Sequence, residues 1–142
     1  SYLWAVTPDS FHTYELPGQK QIEDTANKFL EAVLQGATPF GKDNPDLINK
    51  AAYQLSQQIL APVANQLGKK RLAIVADGAL QTIPFAALAD PNIKAPSYQP
   101  LMVNHEIVNL PSVTAIATQR QRFNTKDKPS KTLAVLADPV FE

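Results

Sequence analysis

Residues 71–88, RLAIVADGALQTIPFAAL, limit the possible folds more than any other stretch of this chain. Leu72, Ala73, Ile74 and Val75 run apolar without a break, and Asp77-Gly78 closes the run. A short, uninterrupted apolar run rich in β-branched residues predicts a strand buried on both faces. Each of Leu72, Ile74 and Val75 would then contribute roughly 1.5–3 kcal/mol. Aspartate accepts from backbone amides just ahead of it, and glycine tolerates positive φ, so Asp77-Gly78 predicts a turn. Pro84 suits the first turn of a short helix on which Phe85 and Leu88 lie one turn apart.

The flanking segments follow the same logic. Tyr2, Trp4 and Val6 alternate on one face of a first strand, and residues 11–16 alternate again after Thr7-Pro8-Asp9-Ser10. This predicts an antiparallel hairpin. Over residues 19–35, Ile22, Ala26, Phe29, Leu30, Val33 and Leu34 form one helical stripe, with Gly36 as the stop. Asn44-Pro45 predicts a capped helix start, with Ile48, Ala51, Ala52, Leu55 and Ile59 facing inward. Pro62 breaks this helix, and residues 63–67 add one turn before Gly68. Residues 89–100, with three prolines, read as an exposed loop. Residues 101–103 read as extended and residues 107–110 as a second buried strand. A helix opens at Pro111-Ser112 and runs to about Phe123. Residues 124–131 are a solvated loop, and residues 132–137 a third buried strand. Alternating strands and helices imply right-handed crossovers and a parallel sheet, with the hairpin added as an antiparallel extension.

Charge and composition exclude several classes of function. Thirteen basic residues balance thirteen acidic ones, which removes the electrostatic case for nucleic acid or an anionic membrane. No apolar run approaches the roughly 20 residues a membrane helix needs, and no signal peptide is recognised, so a cytoplasmic location is expected. The chain contains no cysteine, which excludes disulfides, thiolate metal sites and a cysteine nucleophile. The first residue is Ser1 and a strand pattern begins at once, so the chain is expected to be part of something longer.

Few side chains suggest chemistry. Asp77 and Asp138 sit where apolar strands end, the edge at which α/β proteins bind ligands, and could together hold a divalent cation or a phosphoryl group. Asp-Gly and Asp-Pro are also ordinary turn dipeptides, and the adjacent acids and later lysine of a phospho-acceptor domain are missing, so turns are the simpler reading. His12 and His105 stand in no metal-binding spacing and have no nucleophile to activate, which makes them structural, at the surface or half-buried. Ser112 reads as a helix N-cap. Arg120, Arg122, Lys126, Lys128 and Lys131 read as a solvated helix end and loop, not a nucleic-acid contact. No phosphate-cradling glycine loop is found. These residues specify an α/β fold without specifying a reaction, and no catalytic, cofactor-binding or metal-binding residue is assigned.

A strand followed by Asp77-Gly78-x-Leu80 and Ile83-Pro84-Phe85-x-x-Leu88 resembles the CHAT domain, the caspase-like module found with tetratricopeptide repeats. Tyr2-Leu3-Trp4, Leu60-Ala61-Pro62-Val63, Asn104-His105-Glu106-Ile107, Leu110-Pro111-Ser112 and residues 133–139 extend the resemblance along nearly the whole chain. Ala76 departs from it, standing where the family commonly has proline. The resemblance implies a parallel-stranded, three-layer αβα caspase-like half domain with an N-terminal antiparallel hairpin, residues 1–142 forming the N-terminal part of one such domain. It implies a bacterial cysteine peptidase whose histidine and cysteine follow strands later than residues 132–137, so no residue here takes either role. The expected partners are the remainder of the same domain, tetratricopeptide repeats and, in the parent, a protein or peptide substrate; neither nucleic acid nor membrane is expected. Residues 132–137, if left at a sheet edge, would present unpaired backbone and bare apolar faces, so the isolated fragment is expected either to pair strands with a second copy or to be a product of limited proteolysis. A different reading is a non-catalytic interaction or regulatory module docking through residues 89–100. A third is a metal- or phosphate-dependent domain built on Asp77 and Asp138.

Overall fold

A computed structural model describes residues 1–36, 45–68, 71–94 and 97–125, with side chains through residue 122. The chain divides into two units, Ser1–Pro111 and Ser112–Glu142.

The first unit opens with the expected hairpin. Strands β1 (Tyr2–Val6) and β2 (Phe11–Glu15) pair antiparallel, with Tyr2 opposite Glu15, Trp4 opposite Thr13 and Val6 opposite Phe11. Its turn is fixed by the Thr7 N–H donating to Ser10 O at 2.8 Å and by a 2.7 Å bond between the two hydroxyls. Pro17 interrupts the strand, and the Gly18 carbonyl accepts from Gln21 and Ile22 N–H as helix α1 (Gln19–Gly36) begins. Among the described residues the hairpin is a two-stranded sheet of its own and does not extend the parallel sheet as expected. The reason is how it is held: the Gln66 side-chain amide donates to the Tyr14 hydroxyl, so the hairpin is tied through a side chain of its inner face and not through a strand edge.

Helices α1 and α2 (Pro45–Ile59) supply most of the core. Ile22, Ala26 and Phe29 of α1 meet Ala51, Ala52, Leu55 and Ile59 of α2, joined by Leu60, Ile83, Phe85, Leu88 and Leu101. Leu34, expected on the buried stripe, is exposed. At about 100° per residue it lies about 120° around the helix from Ile22, while Val33 and Phe29 stay within about 20°. Pro45 opens α2 and Pro62 lies in a 3₁₀ turn, Ala61–Val63, before the single-turn helix α3 (Ala64–Leu67). Gly68 ends α3 with φ +53°.

Strands β3 (Leu72–Ile74) and β4 (Ile107–Asn109) lie side by side and parallel, pairing Leu72 with Ile107, Ala73 with Val108 and Ile74 with Asn109. That is the arrangement the sequence predicts for these two strands; residues 132–137 lie outside the described residues. Burial on both faces, however, is not found. Ile74 and Ile107 pack against the core, whereas Ala73 and Val75 on the other face of β3 are exposed. The helical layer covers one face only within this unit, so β3 alternates where a run covered on both sides would not. The parallel sheet and one helical layer are therefore established here, and a second layer is not.

Between the strands the chain makes 3₁₀ turns at Gly78–Thr82, Phe85–Ala87 and Leu101–Val103. Phe85 and Leu88 are buried, as their spacing requires. Residues 101–103 are not extended: Val103 N–H donates to Pro100 O and Asn104 N–H to Leu101 O, each at 3.1 Å. Pro100 enters with a fixed φ of −68°, Leu101 points into the core, and the turn follows from anchoring that one side chain.

In the second unit, helix α4 (Val113–Thr125) begins after Ser112, whose Oγ lies 3.5 Å from the Ala115 N–H it caps. Lys126, Lys128, Lys131 and Asp138 lie outside the described residues.

Candidate functional site

The carboxyl end of β3 and β4 is where an α/β protein places its ligand-binding loops. Asp77 follows β3 there, in extended backbone at φ −123°, and is exposed. Its Oδ1 accepts from the Gly78 N–H at 2.8 Å, and its carbonyl accepts from Leu80 N–H at 3.2 Å. Gly78 has φ +56°, the left-handed region that a side chain would strain. Asp77 thus caps a 3₁₀ turn, which is the turn reading of Asp-Gly. Among the described residues no three His, Asp or Glu side chains gather as metal ligands would.

The two histidines are far from equivalent. His12 is exposed and its ring lies 6.4 Å from that of Tyr14, tilted by 40°. His105 is only 5% exposed, more deeply placed than the sequence predicts, and its backbone N–H donates to Leu101 O at 2.9 Å. It follows the Leu101–Val103 turn, and burial of Leu101 draws it inward. Arg120 and Arg122 are exposed on α4.

The polar groups that do converge were not foreseen. Asp90 is 4% exposed, and its carboxylate accepts from Asn92 N–H at 2.9 Å and from the Asn104 side-chain amide at 3.2 Å. Its own N–H donates to Gln99 O at 2.8 Å, closing the segment across its base. Fully buried Ser56 of α2 donates to Ala89 O at 2.6 Å, and the Tyr98 hydroxyl donates to Ala87 O at 2.7 Å. Residues 89–100 are therefore not the exposed loop expected; Ala89 and Asp90 are inside, and Asn92, Lys94 and Ser97 are exposed nearer the tip. The signal for this was a hydroxyl, Ser56, one turn beyond Ala52 on an otherwise apolar stripe. A buried hydroxyl requires a partner, and the Ala89 carbonyl is that partner. All of these groups hold backbone in place. None is a nucleophile paired with a base.

Two shallow cavities lie among the described residues. One of about 350 Å³ is lined by Thr7, Ser10, His12, Asn65, Gln66 and Gly68. The other, about 340 Å³, lies between α1 and α2, with Leu47 and Ala51 among lysines, Glu31 and glutamines. No described helix is long and apolar enough to cross a membrane.

Comparison with known proteins agrees with the motif reading from residue 49 onward, while Tyr2-Leu3-Trp4 lies outside the match. The family model described as the CHAT domain matches residues 49–142, from α2 to the end of the sequence. No curated protein and no solved structure gives a significant match.

Proposed function

The chain belongs to the CHAT domain family, and from that premise we propose that it is the supporting portion of a caspase-like cysteine peptidase domain whose histidine and cysteine lie on strands beyond those described. Family membership makes it a caspase-like, peptidase-related domain. The finer reading rests on one observation: the chain has no cysteine. In such a peptidase an imidazole takes the thiol proton and the thiolate attacks the peptide carbonyl, so a chain without a thiol supplies scaffold and not chemistry. The parallel pair β3–β4 and the helical layer beneath it are consistent with half of a three-layer αβα arrangement. In this reading residues 1–142 are the N-terminal part of one domain in a bacterial, cytoplasmic parent, beside tetratricopeptide repeats and acting on protein or peptide.

Sequencing the parent gene past the codon for Glu142 tests the proposal. A His-Gly motif and a cysteine at the ends of later strands support it. Their absence supports the non-catalytic module. Incubating the 142-residue chain with fluorogenic peptides bearing basic or acidic P1 residues should give no turnover, and measurable turnover would contradict the assignment. Docking through residues 89–100, the alternative, would use the exposed Asn92, Lys94 and Ser97, because the base of that segment is buried and hydrogen-bonded.

A further inference from the structure

We propose that the outer face of the β1–β2 hairpin is a docking surface for an amphipathic helix whose apolar stripe is flanked by lysine or arginine. The pairing puts Tyr2, Trp4 and Val6 on one face with Phe11, Thr13 and Glu15. Tyr2, Trp4, Val6 and Phe11 are 64, 62, 71 and 65% exposed. Leu3, Ala5 and Tyr14, on the opposite face, are half-buried, and the Gln66–Tyr14 bond fixes that side inward. The aromatic side is therefore held outward. Contiguous apolar patches of this kind mark interaction surfaces.

Shape and charge select the occupant. Side chains on one face of a strand repeat about every 6.8 Å, and residues i and i+4 of a helix about every 6 Å. A helix laid along β1 can thus seat successive apolar residues between Tyr2 and Trp4 and between Trp4 and Val6. The hairpin carries Asp9 and Glu15 and neither lysine nor arginine. Glu15 is on the face itself, opposite Tyr2, and Asp9 is in the turn beyond Val6 and Phe11. Neither makes an ion pair among the described residues. A cation brought beside Glu15 also meets the ring of Tyr2 directly opposite it, a further attraction of about 0.5–1 kcal/mol at an exposed site. The ribbon is only about 17 Å long and about 10 Å wide. That footprint matches the width and length of one short helix, whereas a folded second copy would need a larger face, roughly 800 Å² per partner, to form a stable interface. The same carboxylates repel an anionic bilayer.

Trp4 is the single tryptophan and reports on the face directly. The 142-residue chain is titrated with a Leu/Lys helical peptide of about 18 residues, a scrambled peptide of equal composition, a Leu/Glu counterpart, and zwitterionic and anionic vesicles. Trp4 emission should shift to the blue, saturably, with the Leu/Lys helix, and binding should weaken about tenfold with either other peptide. Phe11→Ser should weaken it at least about fivefold and Glu15→Gln about threefold, with far-UV circular dichroism and melting unchanged. Equal responses to all three peptides, or insensitivity to Phe11→Ser, overturn the proposal. A shift with vesicles alone assigns the face to lipid instead, and concentration-dependent blue emission without peptide assigns it to a second copy.

Discussion

Ser56 shows how much one hydroxyl can hold. Its 2.6 Å bond to Ala89 O joins α2 to the base of the segment after Leu88, with no solvent to replace it. Ser56→Ala leaves a buried carbonyl unpaired and should cost about 1–3 kcal/mol in urea unfolding. Asp77→Ala removes an exposed cap and should cost less, about 0.5–1 kcal/mol. Tyr98 gives a pH signature. Burial raises its phenol above the ordinary 10.0. In alkali the unfolded chain releases that proton first and so binds fewer protons than the native chain. The stabilisation is complete below about pH 10 and is lost as pH rises through the raised value. Urea midpoints from neutrality into alkali should therefore fall for the native chain, and the Tyr98→Phe variant should lose part of that decline.

Among the elements, α1 separates position from residue type. Phe29 is fully buried between α2 and the 3₁₀ turns, and Phe29→Ala should cost about 3–5 kcal/mol. Leu34 has the same apolar character but is 56% exposed, and Leu34→Gln should stay within about 0.5 kcal/mol. Parallel measurement of the two melting curves checks both values. The stripe was legible in the sequence because helical periodicity is strong there; its edge at Leu34 was not, since the partner's width sets where burial stops. β3 shows the converse. Its apolar run located a strand correctly, yet Ala73 and Val75 are exposed because burial of a strand depends on what lies over each face.

The molecule as a whole presents surfaces and anchors, not a reaction centre, among its described residues. Asp77 is committed to its turn, so millimolar Mg²⁺ should leave the melting temperature unchanged; a saturable rise would instead revive the metal- or phosphate-dependent reading. The loop network around Asp90 makes a second test at this scale. Asp90→Ala removes two hydrogen bonds from a buried site and should raise amide exchange across residues 89–104 before it affects α1.

The sequence by itself determined the hairpin, the two long helices, the parallel pairing of β3 with β4 and, through its motifs, the family. Each is written in local periodicity, in turn dipeptides such as Asp77-Gly78, or in a residue pattern. Only the tertiary structure decided that the hairpin stands as its own sheet, that residues 89–100 are pinned at their base, and that His105 is buried while Trp4 is not. Those outcomes depend on which distant groups meet, Tyr14 with Gln66 or Ser56 with Ala89 O, and short-range pattern carries no information about contacts dozens of residues apart.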